Sequence, residues 1–466
     1  MIAHEPRTDT GQETANGKLT PALIGSAMVA ALGGLLFGFD TAVISGTTEA
    51  LTSAFGLTSS TLGFTVASAL IGTILGSVVA GRPTDRWGRK RALMVLAVGY
   101  FVASLGSALA WDWASFVAFR MLGGLAVGGA SVVSPLYIAE ISPARYRGRL
   151  VAIMQFNIVL GILAAFLSNY LIGRMNLGEV EWRWMLGIQA IPSAIFFGLL
   201  LPTPESPRWL IMNGRVDEAR AVMAGLGVDA PEIDREVAEI GHSVERSRGE
   251  EDESLFQHKY RRPIFLAVAI ALFNQLSGIN ALMYYAPTIF KMAGAGEGSA
   301  LLQAVALGGT NLVFTMLAMT VIDRFGRRKL ILIGSVGYLI SLVATAWAFY
   351  TYGTAFTPIG STIVLSALIL FIASHAFGQG AVIWVFISEI FPNRVRARGQ
   401  ALGSFTHWVM AALVSWTFPI IAERSGGHAF AFYAAMMCLQ LLWALFLMPE
   451  TKGVPLEEIQ ARLGID

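Results

Sequence analysis

Long stretches almost free of charge limit this chain more than any other feature. Apolar runs cover roughly 22–48, 60–82, 92–110, 113–137, 149–172 and 183–203, and then roughly 263–291, 300–322, 329–352, 360–388, 400–423 and 428–448. Each is close to or beyond the twenty or so residues a helix needs to cross a ~30 Å hydrocarbon core. Charged residues are only 14% of the chain and apolar ones 55%, too few charges to cover a water-facing surface of this size. The apolar faces therefore go into lipid. Within lipid a chain must satisfy its own backbone groups, so the runs are predicted to be helices rather than open sheets. The expected fold is all-α and integral to the membrane, with twelve transmembrane helices.

The remaining charge is unevenly placed, and its placement divides the chain. Twenty-two charged residues crowd into 204–262. The expected organisation is a tail (1–21), a six-helix half (22–203), a helical linker (204–262), a second six-helix half (263–448) and a tail (449–466). Within the linker, V-D-E-A-R-A-V-M and I-D-R-E-V-A-E-I read as amphipathic surface helices. The first apolar run is too long for the core of a cleavable signal and contains Asp40, so no signal peptide is expected.

Composition also excludes function classes. A formal net charge of +2 leaves no basic stripe for nucleic acid. Cys438 is the single cysteine, so no disulfide framework, thiolate metal cluster or redox pair is available. No phosphate-binding loop and no Ser–His–Asp or Cys–His pattern sits in a soluble stretch. Neither an enzyme nor a metal or cofactor is expected.

Basic residues gather in alternate loops. Arg82, Arg86, Arg89, Lys90 and Arg91 lie between spans 2 and 3, and Arg145, Arg147 and Arg149 between spans 4 and 5. Arg324, Arg327, Arg328 and Lys329 lie between spans 8 and 9, and Arg394, Arg396 and Arg398 between spans 10 and 11. The opposite loops, such as 49–59 and 111–113, carry almost none. Positive loops stay in the cytoplasm, so both termini and the linker are predicted to face it, in a multi-pass protein of the cell membrane.

The two halves repeat. Asp85-Arg86-Trp87-Gly88-Arg89 after span 2 returns as Asp323-Arg324-Phe325-Gly326-Arg327 after span 8. Glu140-Ile141-Ser142-Pro143 before span 5 returns as Glu389-Ile390-Phe391-Pro392 before span 11, each Glu followed seven residues later by an arginine, Arg147 or Arg396. Two such pairs in the same order mark a transporter built by duplication.

Against this background G-R-P-T-D-R-W-G-R-K (81–90) resembles the loop signature of the major facilitator superfamily. P-E-S-P-R-W-L (204–210), P-E-T-K-G (449–453), R-M-L-G-G-L-A-V-G-G (120–129) and N-Q-L-S-G-I-N (274–280) resemble the narrower sugar porter family, over about residues 22–455. The resemblance implies a major facilitator fold of two pseudo-symmetric halves, with one central monosaccharide site worked by alternating access. A unit that functions as a monomer is expected. The family holds both proton symporters and passive facilitators.

The repeated charges read as a network that holds the inner face closed. An Asp at one helix end and guanidinium forks on the next can make charge-assisted bonds across that face, favouring the outward-open state. The residues concerned are Asp85, Arg86, Arg89, Glu140 and Arg147, with Asp323, Arg324, Arg327, Glu389 and Arg396. Glu140 and Glu389 are expected to pair with the basic loops of the other half. Arg91 and Lys329 read as topology signals alone, their solvated pairs worth ~0–1 kcal/mol.

Polar side chains inside apolar spans are costly and usually face a cavity. Gln155 and Ile162 in span 5 are two turns apart on one face. Span 7 carries Asn274, Gln275, Asn280, Tyr284 and Tyr285. Gln275 and Asn280 can reach one ligand only if the helix loosens between them, which Gly278 permits. Asn311 lies mid-span 8, His375 and Gln379 sit four apart on one face of span 10, and His407-Trp408 opens span 11. Amides suit a sugar because each donates and accepts as a hydroxyl does, and Trp408 offers a flat apolar face. The resemblance implies sugar contacts at Gln155, Gln275, Asn280, Asn311 and Trp408; Phe37, Ile162, Asn274, His375, Gln379 and His407 are further candidates for the site, and Tyr284 and Tyr285 are expected to form an extracellular gate. Asn169 and Gln440 read instead as interhelical hydrogen bonds.

The chain departs from the family pattern at three places. Asn274-Gln275 replaces a Gln-Gln pair, Gln379-Gly380-Ala381 replaces Trp-Gly-Pro, and His407 replaces Gln or Asn. His375 and His407, without a tryptophan at position 379, resemble the fructose-selective branch of the animal facilitators. Ile162 is similar to the residue of passive hexose carriers.

Asp40 in span 1 and Arg120 in span 4 lie in apolar surroundings. Desolvation favours the protonated acid and a nearby arginine the ionised one, so such an acid can titrate during a cycle. Proton-coupled sugar porters carry the acid and arginine at these positions, which implies proton coupling here; a static buried pair is the alternative. Proton-driven monosaccharide uptake is thus the leading expectation. A passive hexose, pentose or polyol facilitator with a structural Asp40 comes second. A transporter-like sugar sensor comes last, because such sensors tend to have long tails and only 17 residues follow Pro449.

Overall fold

The computed structural model describes residues 19–465 except 144, 250–252, 354 and 455, and of 243–249, 323, 456 and 457 it describes the backbone alone. Most of the expected tail 1–21 lies outside the described residues. Every regular element described is helical, and twelve helices are long and apolar enough to cross a membrane. The first six spans are built from α1 (Pro21–Val43), α2 (Ser59–Val79), α3 (Arg89–Ala108), α4 (Trp113–Ile141), α5 (Arg147–Gly173) and, for the sixth, a short Glu181–Gly187 helix with α6 (Ala190–Leu200). Outside the spans follow α7 (Pro207–Met212), α8 (Val216–Gly225) and α9 (Ala230–Gly249). The last six spans are α10 (Arg261–Leu276) with α11 (Ile279–Met292), α12 (Glu297–Phe325), α13 (Arg327–Tyr352), α14 (Pro358–Phe377) with α15 (Gln379–Ile390), α16 (Arg396–Arg424) and α17 (Gly426–Phe446); α18 (Leu456–Leu463) comes after them.

Local chemistry sets where several helices begin. Thr20 accepts the backbone N–H of Leu23 ahead of Pro21, and Asp112 and Ser115 form a reciprocal cap on α4. Both satisfy N–H groups that a helix start leaves free. Close packing is set by small residues. A side chain at Gly124 or Gly128 of α4 would lie 1.9 or 2.1 Å from a backbone oxygen of α2, so the two helices meet backbone to backbone. On the outside, Val78, Val95, Ile333, Ile340 and Val343 are exposed, the surface expected of a chain whose solvent is lipid. The two helices read in the linker are present as α8 and α9. Thr20 Oγ1 donates to Leu226 O at 2.8 Å, which ties the start of α1 to the turn after α8.

Two spans that read as single runs are broken. Between α10 and α11 the chain turns at Gly278, whose φ of +88° only glycine adopts at little cost. Between α14 and α15 it turns at Gly378, with φ −98° and ψ −94°. The second break corrects the expectation that His375 and Gln379 share a helix face, since four-residue spacing aligns side chains only along an unbroken helix. Asn169 and Gln440 do join helices: Asn169 Nδ2 donates to Val43 O at 2.9 Å and Gln440 Nε2 to Ser335 Oγ at 3.0 Å.

Candidate functional site

The two broken spans, together with α1, α5, α12 and α16, surround a cavity of about 350 Å³. From α1 and α5 it is lined by Phe37, Gln155 and Ile162. Opposite these stand Asn274 and Gln275 at the end of α10, with Asn280 and Tyr284 on α11. The wall is completed by Asn311 on α12, His375 on α14, and His407 and Trp408 on α16. Because Gly278 ends one helix and starts the next, Gln275 and Asn280 reach the same space from two helix pieces. One expected sugar contact stands behind the wall instead of on it, and so does Tyr285 of the expected gate. Gln379, 1% exposed, accepts from Asn274 Nδ2 at 3.4 Å. Tyr285, 1% exposed, donates its hydroxyl to Ser415 O at 3.0 Å.

The polar wall is pre-arranged. Gln275 Nε2 donates to Asn274 Oδ1 at 3.1 Å and lies 3.1 Å from His407 Nε2, while Gln275 Oε1 is buried with no partner among the described residues. An amide held by its nitrogen and offering its oxygen is a ready acceptor for a hydroxyl. His375 Nδ1 lies 2.5 Å from the hydroxyl of the buried Tyr338, which fixes the imidazole. Sequence reasoning passed over Trp384. It lines the cavity on α15 with its ring 5.0 Å from that of His407, and it remains 39% exposed. His407 meets Trp408 edge-on at 4.9 Å, and Phe37 meets Trp408 at 5.6 Å. The result is an aromatic surface facing a row of amides, the mixture that holds and orients a small polar ring. Among the described residues no group of three or more His, Cys, Asp or Glu is placed to hold a metal ion.

Asp40 sits on α1 beside Thr41 and three residues after Phe37, both of which line the cavity. Its carboxylate accepts from both ends of the Arg120 guanidinium, at 2.6 and 3.3 Å. The two side chains are 8% and 3% exposed.

At the face that bears the basic loops, each set of six spans builds the same cage. Arg89 holds Glu140 through two bonds of 2.8 and 3.0 Å and Asp85 at 3.2 Å. Arg327 holds Glu389 at 2.8 and 3.1 Å; the Asp323 side chain lies outside the described residues. Glu205 accepts the first backbone N–H groups of α3, from Arg89 and Lys90, at 2.8 and 3.1 Å. Glu450 does the same for α13, from Arg327 and Arg328, at 2.9 and 3.2 Å. Ser206 and Thr451 then donate to Glu140 and Glu389. These bonds correct the expectation that Glu140 and Glu389 reach the other half, because two bonds from the arginine of its own set already hold each carboxylate. Arg147 and Arg396 bond backbone oxygens of Ala139 and Phe391 instead, and Arg86 and Arg324 are exposed. The roles of Glu205 and Glu450 escaped the sequence reading, although Pro-Glu-Ser and Pro-Glu-Thr recur after the two halves.

At the opposite face the first six spans do bond to the last six. Lys291 meets Glu49 at 2.7 Å, Thr48 and Thr288 join hydroxyls at 3.0 Å, and Trp416 Nε1 donates to Ser60 O at 3.1 Å.

Residues 26–463 match the family described as sugar (and other) transporter. The chain belongs to the sugar porter family of the major facilitator superfamily. It is therefore a multi-pass membrane transporter rather than an enzyme. It is 38% identical to the D-xylose-proton symporter of Escherichia coli K12, over 93% of this chain and 94% of that one. It is 34% identical to the glucose transport protein of a Synechocystis strain, over 97% and 100%. In three dimensions this sugar porter is similar to the inward open conformation of the E. coli xylose transporter, with a TM-score of 0.83, 36% identity, and coverage of 94% and 99%.

Proposed function

We propose that this sugar porter carries a monosaccharide across the cell membrane together with a proton, by alternating access. The observation that bears most weight is the buried Asp40–Arg120 pair on the helix that also presents Phe37 and Thr41 to the cavity. A buried acid held between desolvation and a guanidinium can exchange a proton as its surroundings change. Its place on a cavity-lining helix links that exchange to sugar binding. The similarity to a D-xylose-proton symporter supports the same reading.

The basic loops and both termini face the cytoplasm in this reading. The bonds across the opposite face and the likeness to an inward open transporter support a state open to the cytoplasm. All groups of the site come from one chain, so a monomer suffices. The sugar is of pentose or hexose size. Amides at 155, 275, 280 and 311 bind its hydroxyls, Trp384 and Trp408 pack on its ring, and Tyr284 and Tyr285 close the extracellular side. The imidazoles at 375 and 407 favour a site that also accepts fructose.

Uptake of labelled xylose, arabinose, glucose and fructose into proteoliposomes, with and without a pH gradient, tests the proposal. Accumulation above equilibrium with the gradient is expected. Mere equilibration would instead establish a passive facilitator.

A further inference from the structure

A second, far smaller cavity adjoins the Asp40–Arg120 pair. It is bordered by Asp40, Tyr100, Arg120 and Gln189, and about 10 Å³ of it is open to the centre of a water-sized sphere. Three buried polar atoms of these residues find no hydrogen-bond partner among the described residues: Tyr100 Oη, Arg120 Nε and Gln189 Nε2. Tyr100 is 1% exposed, and Arg120 and Gln189 are each 3% exposed. They come from three different helices or their junctions. Gln189 is carried inward where the chain turns between the Glu181–Gly187 helix and α6, just before Pro192.

Native interiors rarely leave polar groups unpaired, least of all three around one space. Two of the atoms carry only donors, and the third belongs to a hydroxyl. What suits them is a small group that accepts twice and also donates. The room available fits one water and nothing larger. Asp40, after both bonds from Arg120, still has lone pairs to offer it.

We propose that this cavity is a built site for a single water molecule, which accepts from Arg120 Nε and Gln189 Nε2 and donates to the Asp40 carboxylate. The Tyr100 hydroxyl takes its remaining position. Gln189 and Tyr100 are then positioning residues. By holding the water they solvate the ionised acid and set the pH at which it takes up a proton. The charged or titratable groups that face Asp40 are Arg120 from α4, Tyr100 from α3 and Tyr284 from α11. α6 brings the neutral Gln189, and α5 meets this stretch of α1 with Ile158 and Gly161.

The inference rests on Asp40 as the proton carrier, so the test separates the two. Uphill sugar uptake into proteoliposomes is measured across pH for wild type, Asp40→Asn, Gln189→Leu and the milder Tyr100→Phe. A map of the wild type at better than 2 Å is obtained beside it. Water density within bonding distance of all three atoms is expected. So is a rise of roughly one pH unit in the midpoint of uptake for Gln189→Leu, because a less solvated carboxylate keeps its proton to higher pH. A smaller rise is expected for Tyr100→Phe. Side chains that only pack would lower uptake at every pH and leave the midpoint in place. An empty cavity in the map, or midpoints unmoved in both variants, overturns the water site. Accumulation by Asp40→Asn overturns instead the coupling on which it rests.

Discussion

The Lys291 ammonium, on α11, lies 2.7 Å from the Glu49 carboxylate on a short Thr48–Phe55 helix, and so ties the seventh span to the connection between the first and second. The two side chains are 24% and 57% exposed, so water screens the pair and it contributes at most about 1 kcal/mol. Lys291→Ala should therefore shift the balance of states toward the one open at this face by roughly two- to five-fold. The shift is read as a faster reaction of Thr288→Cys with an impermeant maleimide, in a Cys438→Ser background at low salt. An unchanged rate would show that the pair does not help to close this face.

Asp40→Asn mimics the protonated acid and leaves nothing to titrate. A membrane potential of 100 mV supplies about 2.3 kcal/mol per charge moved, enough for roughly 50-fold accumulation of a neutral sugar. The variant should lose this accumulation and keep exchange of labelled sugar in counterflow. If it still concentrates sugar, Asp40 is not the carrier.

The amide wall makes a third prediction. Gln275→Ala or Asn280→Ala should weaken sugar binding about 5- to 150-fold, the ~1–3 kcal/mol of a lost buried partner. Gln379→Ala should weaken it less, because Gln379 acts through Asn274. Calorimetric titration of the purified variants with sugar decides the order. Equal losses at 275 and 379 would place the sugar deeper than the cavity wall.

The cages at the basic face bear on stability. Glu205→Ala or Glu450→Ala removes a helix cap and should cost about 0.5–2 kcal/mol. Glu140→Ala should cost more, about 1.5–3 kcal/mol, because it removes two charge-assisted bonds from the guanidinium of Arg89, which is 4% exposed and keeps only the exposed Asp85 as a counter-charge. Thermal unfolding in detergent ranks the three. A Glu140→Ala protein as stable as Glu205→Ala would mean that Asp85 alone satisfies Arg89.

The spans were legible because each carries some twenty apolar residues, a signal that no neighbouring helix can mask. Gln275 and Asn280 were legible as partners because Gly278 sits between them and a break there brings both to one side. Gln379 was misjudged for a related reason. Its spacing from His375 implies a shared face, and nothing in Phe377-Gly378-Gln379 alone announces that the helix ends there. Trp384 was passed over because an aromatic residue in an apolar run looks like any lipid-facing one until its neighbours are known. Partners for Glu140 and Glu389 were sought too far away, since the sequence displays the arginines of both halves but not which of them another acid has already drawn in.

The self-contained cages have a further consequence. Each set of six spans pairs its own buried arginine with its own glutamate, so parting the sets at the basic face separates neither pair. This face then adds little to the energy difference between the two extremes of the cycle, as an empty pan adds nothing to a balance. On such a balance a ligand needs only a modest preference for one side to tip the protein. The affinity for sugar can thus stay low enough for release, and the proton of the proposed symport is left to decide which way the load travels.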